Sequence, residues 1–461
     1  MNSELCLKNT HNKYMHKRLL LFLSFIYMTL SMAGRTIYDA PKVNISDLFS
    51  VERARYVICS NHVFSDTLFI PFGCELRFKG GSLSGPIVFD NTKLSGDVNL
   101  KGSSIKGKIK NKTFYASWLC YIDGKRDDAR SINDLINLCD NIYFPEGKYL
   151  LRTEYNPNGI IDEGYESKIK THIGINKSHV SLIGEKGATF VTDDALCTIC
   201  IFSRPRQIEK SIHDIKIVGF TFEVHNDGKN FHEFIHTIKL IGVNKLTIEK
   251  CTFYDFWGDA ISLSHYGDGP ETGERTLNQN VKIIDNTILG GTHYNNRNGI
   301  SVISGKNVLI RGNYIKDTSR NDMPGGIDVE PNNSAYTIEN IRIKNNILEG
   351  IKGGGGAICV VAQKGGPAHN IYITGNRVFK SNTGLFIYLK TDFTTDNYII
   401  RKNTIESDTR PYRFEGNGVS QYWRVTRNSF MGASKQPFLG DMTVKGLVMK
   451  NNVINYLPNE F

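Results

Sequence analysis

Apolar and polar positions alternate along most of this chain in short runs. One pattern keeps returning: apolar, two residues, Asn, one residue, apolar. It stands at Ile283/Asn286/Ile288, Ile310/Asn313/Ile315, Ile343/Asn346/Leu348 and Ile373/Asn376/Val378, then at Ile400/Asn403/Ile405, Val425/Asn428/Phe430 and Met449/Asn452/Ile454. Successive Asn positions are 24 to 33 residues apart. Two earlier copies, Ile217/Phe220/Phe222 and Ile248/Cys251/Phe253, keep the apolar pair and lose the Asn. Short β runs with fixed internal spacing and variable linkers belong to a stacked solenoid, in which neighbouring turns bury one another's apolar faces. An Asn at a bend adopts the left-handed conformation readily and bonds nearby backbone, so the stacked amides should form an internal ladder. The period fits a right-handed parallel β-helix. Leucine-rich repeats of similar length need an LxxLxL signature that is absent.

A further strand follows each Asn strand after a variable loop: Ala260–Leu263, Gly299–Val302, Gly326–Glu330, Ala357–Val360 and Leu385–Tyr388. Period-2 alternation turns Ile261, Ile300, Ile327 and Ile358 inward. It turns Ser262, Ser301, Asp328 and Cys359 outward, one above the next. Leu385–Tyr388 fits this register less cleanly. Residues 34–114 carry short β patterns with Gly turns, such as Phe78–Gly85, and read as narrow early coils or a small β subdomain. From about 128 to 138, Ala129, Ile132, Leu135 and Ile136 fall on one helical face, a fitting cap for the open end of a solenoid at 115–461.

Asp123-Gly124, Asp127-Asp128, the helix, and then Tyr143-Phe-Pro-Glu-Gly-Lys-Tyr149 resemble the opening segment of pectate-lyase-like β-helix proteins. With the later coils, the resemblance covers roughly residues 115 to 456. It implies an all-β, right-handed parallel β-helix and chemistry on glycans, because that superfamily includes polysaccharide lyases, glycoside hydrolases and phage tailspikes. The Phe78–Gly85 style of segment is similar to secreted glycan-targeting proteins of Bacteroides-type bacteria.

Composition refines this picture. With 43 Gly, 13 Pro and 22% charged residues in 461, the chain is neither collagen, long coiled coil nor wholly disordered. Lys17-Arg18, an apolar run from Leu19 to about Leu30, and Ser31-Met32-Ala33 read as a secretory signal peptide, with Met15 as a fitting start. The run is too short for a good membrane span. Residues 1–33 would be removed, and the protein would be exported to the periplasm or beyond. Losing four Lys/Arg and one Glu lowers the formal charge from +10 to +7, which suits an acidic polysaccharide without selecting one. No nucleic-acid partner and no span in the mature chain are expected, and the oligomeric state is not legible. Cys197-Thr-Ile-Cys200 lacks the helix a redox motif needs. The other cysteines are too sparse for a disulfide scaffold.

The richest polar cluster falls on consecutive turns around residues 254–333. Asp328 and Glu330 are the leading acid–base pair. They stand i, i+2 on one strand, with Cβ atoms about 6.5–7 Å apart. Their carboxyl groups then fall near the roughly 6.5–9.5 Å of inverting or the roughly 5–5.5 Å of retaining glycosidases. Gly325-Gly326 removes side chains before the pair, and Pro331 ends the strand after it. Asp259, aligned with Asn298 and Gly325, serves as a third acid, a ligand or a turn cap. Arg297 would pair with a substrate carboxylate or sulfate, or bridge Asp328. His265 and His293 lie in loops at the groove edge as proton shuttles. Trp257, Tyr266 and Tyr294 would stack on sugars or pack beneath loops. Asn298, Arg320 and Asp322 complete the expected binding surface. The acids lack calcium-loop spacing and Gly353–Gly356 lacks the Lys-Ser/Thr of a phosphate loop, so no cofactor is expected, with calcium held by scattered acids left open as an alternative. The expected function is hydrolysis of a polysaccharide by this carboxylate pair. A lyase acting on uronic-acid chains through Arg297, His293, Arg320 or Lys364, and a non-catalytic adhesin-like binder, are the alternatives.

Overall fold

A computed structural model describes residues 34–39, 44–153, 170–192, 198–203, 212–229, 231–265, 277–332, 334, 336–362, 366–390, 395–433, 439 and 442–456. The expected signal peptide, Cys197, Tyr266 and Lys364 lie outside the described residues. Two compact units are present. One runs to Phe114 and includes Asn137–Cys139; the other holds Tyr115–Ile136 and the chain from Asp140 onward.

In the first unit, strands Arg55–Ile58, Glu75–Phe78 and Pro86–Gly96 pair in parallel, with Tyr56 opposite Leu76 and Leu76 opposite Leu94. These are narrow coils. Tyr56, Leu76, Phe78, Phe89 and Leu94 are buried between them.

The second unit is a parallel β-helix with three strands per coil. A representative coil runs Asn278–Ile284, Thr287–Leu289, Ile300–Val302. The next runs Gly305–Arg311, Tyr314–Lys316, Gly325–Val329. Each strand pairs in parallel with its counterpart one coil on. The inward residues stack in register, as in the fully buried columns Ile283/Ile310/Ile343/Ile373 and Ile261/Ile300/Ile327/Ile358. At roughly 4.8 Å between coils such columns form one continuous apolar core. Contrary to the sequence expectation, Leu385 continues the third column cleanly, opposite Ile358 and fully buried. Among the described residues no helix is long and apolar enough to cross a membrane.

The recurrent Asn occupies the corner between the first and second strands, and the ladder is present. Asn286 donates through its backbone N (3.0 Å) and Nδ2 (2.9 Å) to Asn313 Oδ1. The same pair of bonds links Asn313 to Asn346, Asn346 to Asn376, Asn376 to Asn403 and Asn403 to Asn428. The left-handed residue, however, is the one before it: Asp285 (φ 54°), Gly312 (69°), Asn345 (54°) and Gly375 (69°). That residue turns the corner, and the Asn side chain then satisfies the backbone inside it.

Asn346 also donates to Ile310 O at 3.0 Å. Asn346→Ala therefore strands the backbone N–H of Asn313 and one N–H of its amide, the other staying on Ile283 O at 3.0 Å, each costing about 1–3 kcal/mol when buried and unpaired. A loss of roughly 3 kcal/mol is expected in urea unfolding; a change below about 1 kcal/mol would show that the ladder is not a stabilising element.

The amphipathic helix spans Ala129–Leu138, with Ala129, Ile132, Leu135 and Ile136 buried. Asn133 pins it to the first coils: its Nδ2 donates to His172 O at 2.7 Å and its Oδ1 accepts from Gly174 N at 3.0 Å.

Candidate functional site

The outward column of the third sheet is in the expected register: Ser262, Ser301, Asp328 and Cys359 lie opposite one another on successive coils. Lys239, opposite Ser262, extends it one coil earlier. All five are buried, which corrects the expectation of an open face. Loops cover this stretch of sheet, so its outward polar groups form an internal layer rather than a surface.

Arg297 is the centre of that layer. Its backbone N donates to Trp257 O (3.2 Å) and Gly258 O (3.0 Å), which directs the side chain across the sheet. Nη1 donates to both oxygens of Asp259 (3.1 and 3.0 Å) and to Ser301 Oγ (3.2 Å). Nη2 lies 3.5 Å from Glu330 Oε2 and 3.6 Å from Asp328 Oδ2, and Nε lies 3.5 Å from Glu233 Oε1. Burial opposes its charge, but Asp259, Asp328, Glu330 and Glu233 together raise its pKa above the ordinary value.

The acids around it are not equivalent. Asp259 also accepts from Asn298 N (3.1 Å), and its Oδ2 faces His236 Nδ1 at 3.1 Å. Burial pushes its pKa up, yet Arg297 and His236 outweigh burial and hold it at about 2. It is thus a fixed anion and a turn cap. Asn298 repeats the cap one coil on, its Oδ1 accepting from Gly325 N at 2.9 Å. Gly325 is obligatory here, since a Cβ would sit 1.6 Å from Gly356 O.

Asp328 accepts from Asn298 Nδ2 (3.2 Å) and Cys359 Sγ (3.2 Å). Burial, and then the charge of Glu330, push its pKa well above the carboxylate range, and Arg297 only partly offsets them. The sequence placed Asp328 beside Glu330 in the groove. In the structure Asp328 is wholly buried within the layer, and of the two only Glu330 reaches the cavity.

The raised pKa has a measurable consequence. In the unfolded chain Asp328 ionises near pH 4, whereas the fold retains its proton, so its contribution to stability falls as pH rises above about 4. Asp328→Asn, the isostere of the protonated acid, should gain on the wild type by about 1.4 kcal/mol per pH unit over that range until the folded pKa is reached. Urea unfolding of both proteins at pH 4 and pH 7 reads this; a difference independent of pH contradicts it.

A cavity of about 430 Å³ opens above the layer. Glu233, His236, Lys239, Asp259, Arg297 and Glu330 contribute to its wall. His265 joins them at the edge, its ring 4.3 Å from that of Tyr336. Glu330 and Glu233 are its accessible carboxylates, their side chains 13% and 41% exposed. Both sit on one edge of the guanidinium, at Nη2 and at Nε. The two contacts of 3.5 Å and the fixed fork between those nitrogens limit their oxygens to at most about 9 Å apart, a range that includes the spacings of glycosidase pairs.

The other expected residues lie elsewhere. Trp257 is fully buried against His232, with ring centroids 5.2 Å apart, and presents no face for a sugar. His293 Nε2 is held 2.6 Å from Asp255 Oδ1. The Tyr294 hydroxyl donates to Asp317 at 3.1 Å, and burial followed by that carboxylate raises its pKa. Arg320 makes a two-pronged pair with Asp322 (2.9 and 2.6 Å) and lies over the Phe231 ring. None of these five lines the cavity. Glu233, His236 and Lys239 were not anticipated. Lys239 had a signal, since Ile238-Lys239-Leu240 repeats the Ile-Ser-Leu pattern of the next coil. Glu233 and His236 come from a loop without periodicity.

The match to known sequence families agrees with this geometry. Residues 227–407 match the family model described as a right handed beta helix region. The second unit is a right-handed parallel β-helix. A comparison with curated proteins found no match. Among solved structures, the chain is similar to PfbA, a surface adhesin of Streptococcus pneumoniae, at 15% identity and TM-score 0.44, covering 75% of this chain and 92% of that one. It is similar to a family 28 exopolygalacturonase of Yersinia enterocolitica at 12% identity and TM-score 0.47, covering 77% and 79%. It is also similar to the A-module of the Azotobacter vinelandii mannuronan C-5 epimerase AlgE6 at 13% and 0.44, covering 75% and 96%. The similar structures thus include polysaccharide-active enzymes and an adhesin. At these identities the likeness concerns the fold alone, and no residue role is carried over.

Proposed function

We propose that this protein is exported and hydrolyses glycosidic bonds of a polysaccharide bound in the cavity above Arg297, with Glu330 and Glu233 as the acid–base pair. The observation that carries the reading is the bracketing of one guanidinium edge by two accessible carboxylates in a polar cavity. Hydrolysis needs one carboxyl group to protonate the leaving oxygen and another carboxylate to deprotonate the attacking water or to attack the anomeric carbon itself. The glycosidic C–O bond breaks, water supplies the new hydroxyl, and the proton ends on the departing sugar. Asp259 and Asp328 do not touch substrate in this scheme. Asp259 anchors Arg297 through Nη1, and Asp328 packs against Nη2 at 3.6 Å. Both are positioning residues. Arg297, fixed by Asp259, holds the two glutamates at their spacing.

A second reading is favoured by one observation: Lys239, Arg297 and His236 also face the cavity. A uronate carboxylate could be neutralised by the cations while a base removes the C5 proton, which is the chemistry of a lyase. Incubation with neutral and acidic polysaccharides separates the readings. New reducing ends without absorbance near 235 nm support hydrolysis. Reducing ends with that absorbance support elimination. Binding without either, across a broad panel, supports an adhesin-like role.

A further inference from the structure

A second cluster lies on the first sheet, the one that does not carry Glu330. We propose that His179, His213 and Asp214 form a binding site for a divalent transition metal of the zinc class. His179 stands just before strand Ser181–Gly184, and His213 and Asp214 lie in strand Ile212–Val218 on the next coil. The pairing Ser181 opposite Lys216 places His179 opposite Asp214. The backbone between them is locked: His179 N donates to His213 O at 2.9 Å, and His213 N donates to Ser178 Oγ at 3.0 Å. His179 and Asp214 both hold left-handed backbone, at φ 63° and 59°. The ligands therefore stand on rigid, stacked positions rather than on a free loop.

The donor geometry points to one shared centre. His213 Nδ1 lies 2.8 Å and His179 Nδ1 3.4 Å from the same oxygen, Asp214 Oδ2. All three ligand atoms lie within 4.8 Å of one another. A tetrahedral zinc ion with bonds near 2.1 Å separates its ligand atoms by about 3.4 Å, so small side-chain rotations close the site. Lys245, one coil further on, contacts the other oxygen, Oδ1, at 3.5 Å, leaving Oδ2 to the imidazoles. Two imidazole nitrogens and one carboxylate suit zinc, copper or nickel and not the oxygen-seeking calcium or magnesium. A fourth position remains for water or for an anionic ligand from the adjoining cavity, whose wall includes Lys216, Lys245 and Lys282. The bound ion would staple two consecutive coils together.

Calorimetric titration of the full chain with zinc chloride tests this, with thermal melting alongside. One ion should bind per chain and raise Tm, and calcium chloride should do neither. His179→Ala and His213→Ala should each weaken zinc binding by more than about 100-fold, beyond the roughly 10–100-fold that loss of an outer-shell partner costs. These side chains are partly or largely exposed, so the metal-free melting temperature should be unchanged. Asp214→Asn gives a third, independent arm. The absence of zinc binding by the wild type, or undiminished binding by the His179→Ala/His213→Ala double variant, overturns the proposal.

Discussion

Arg297→Met is expected to remove about 3–5 kcal/mol of folding stability, because it takes the cation from a buried group of acids and leaves them uncompensated. Asp259 is the most exposed to this loss. It is fully buried, and Arg297, followed by His236, contributes most to keeping it ionised against burial. The sign with pH follows. Asp259 is held near pH 2 in the fold against about 3.9 in the unfolded chain, so its favourable contribution is present above about pH 4 and lost as pH falls through about 2. The deficit of the methionine variant should therefore be largest near neutrality and shrink toward pH 2. Arg297→Lys should recover only part of it, since one ammonium cannot reproduce a planar fork that reaches Asp259, Glu330 and Glu233 together. Denaturant unfolding followed by circular dichroism reads all of these. A loss below about 1 kcal/mol at pH 7 would mean that Arg297 is not what holds the layer together.

The second large effect is on catalysis. Glu330→Gln and Glu233→Gln should each lower kcat about 10²–10⁴-fold while leaving the fold intact, because each removes one half of the proton transfer. The double variant should be little worse than the poorer single variant, as residues acting as a unit are not additive. Asp328→Asn should lower kcat by less than about tenfold. It mimics the protonated form toward which burial and the charge of Glu330 push this carboxyl. The roles proposed for the two acids are thus opposite, although they are two residues apart: Asp328 lies within the strand, which ends at Val329, and Glu330 just beyond it.

That contrast marks the boundary of what the sequence shows. Period-2 alternation correctly predicts the direction in which Ser262, Ser301 and Asp328 leave the sheet. It carries no information on whether another segment covers them there. The Asn ladder was legible because fixed spacing between an apolar pair and a polar residue survives insertions in the loops. Its corner residue was not, because Asp, Gly, Asn, Lys and Arg all occupy that left-handed position at 285, 312, 345, 402 and 427. Glu233 belongs to the irregular stretch Phe231-His-Glu-Phe-Ile-His236, where only tertiary packing brings the side chain to Arg297. Trp257 and His293 failed as site residues for a related reason. An aromatic or a histidine near a groove packs or pairs with its nearest neighbour, here the His232 ring for Trp257 and the Asp255 carboxylate for His293, whether or not a ligand is close by.

The most direct test of the account compares the wild type, Glu330→Gln and Asp328→Asn, each shown folded by a matching circular dichroism spectrum and a cooperative melt, on the polysaccharide that yields the fastest release of reducing ends. The account predicts reducing ends without absorbance near 235 nm from the wild type, nearly the same from Asp328→Asn, and a loss of at least about 100-fold in Glu330→Gln. Near-wild-type turnover by Glu330→Gln, or a loss confined to Asp328→Asn, would contradict it.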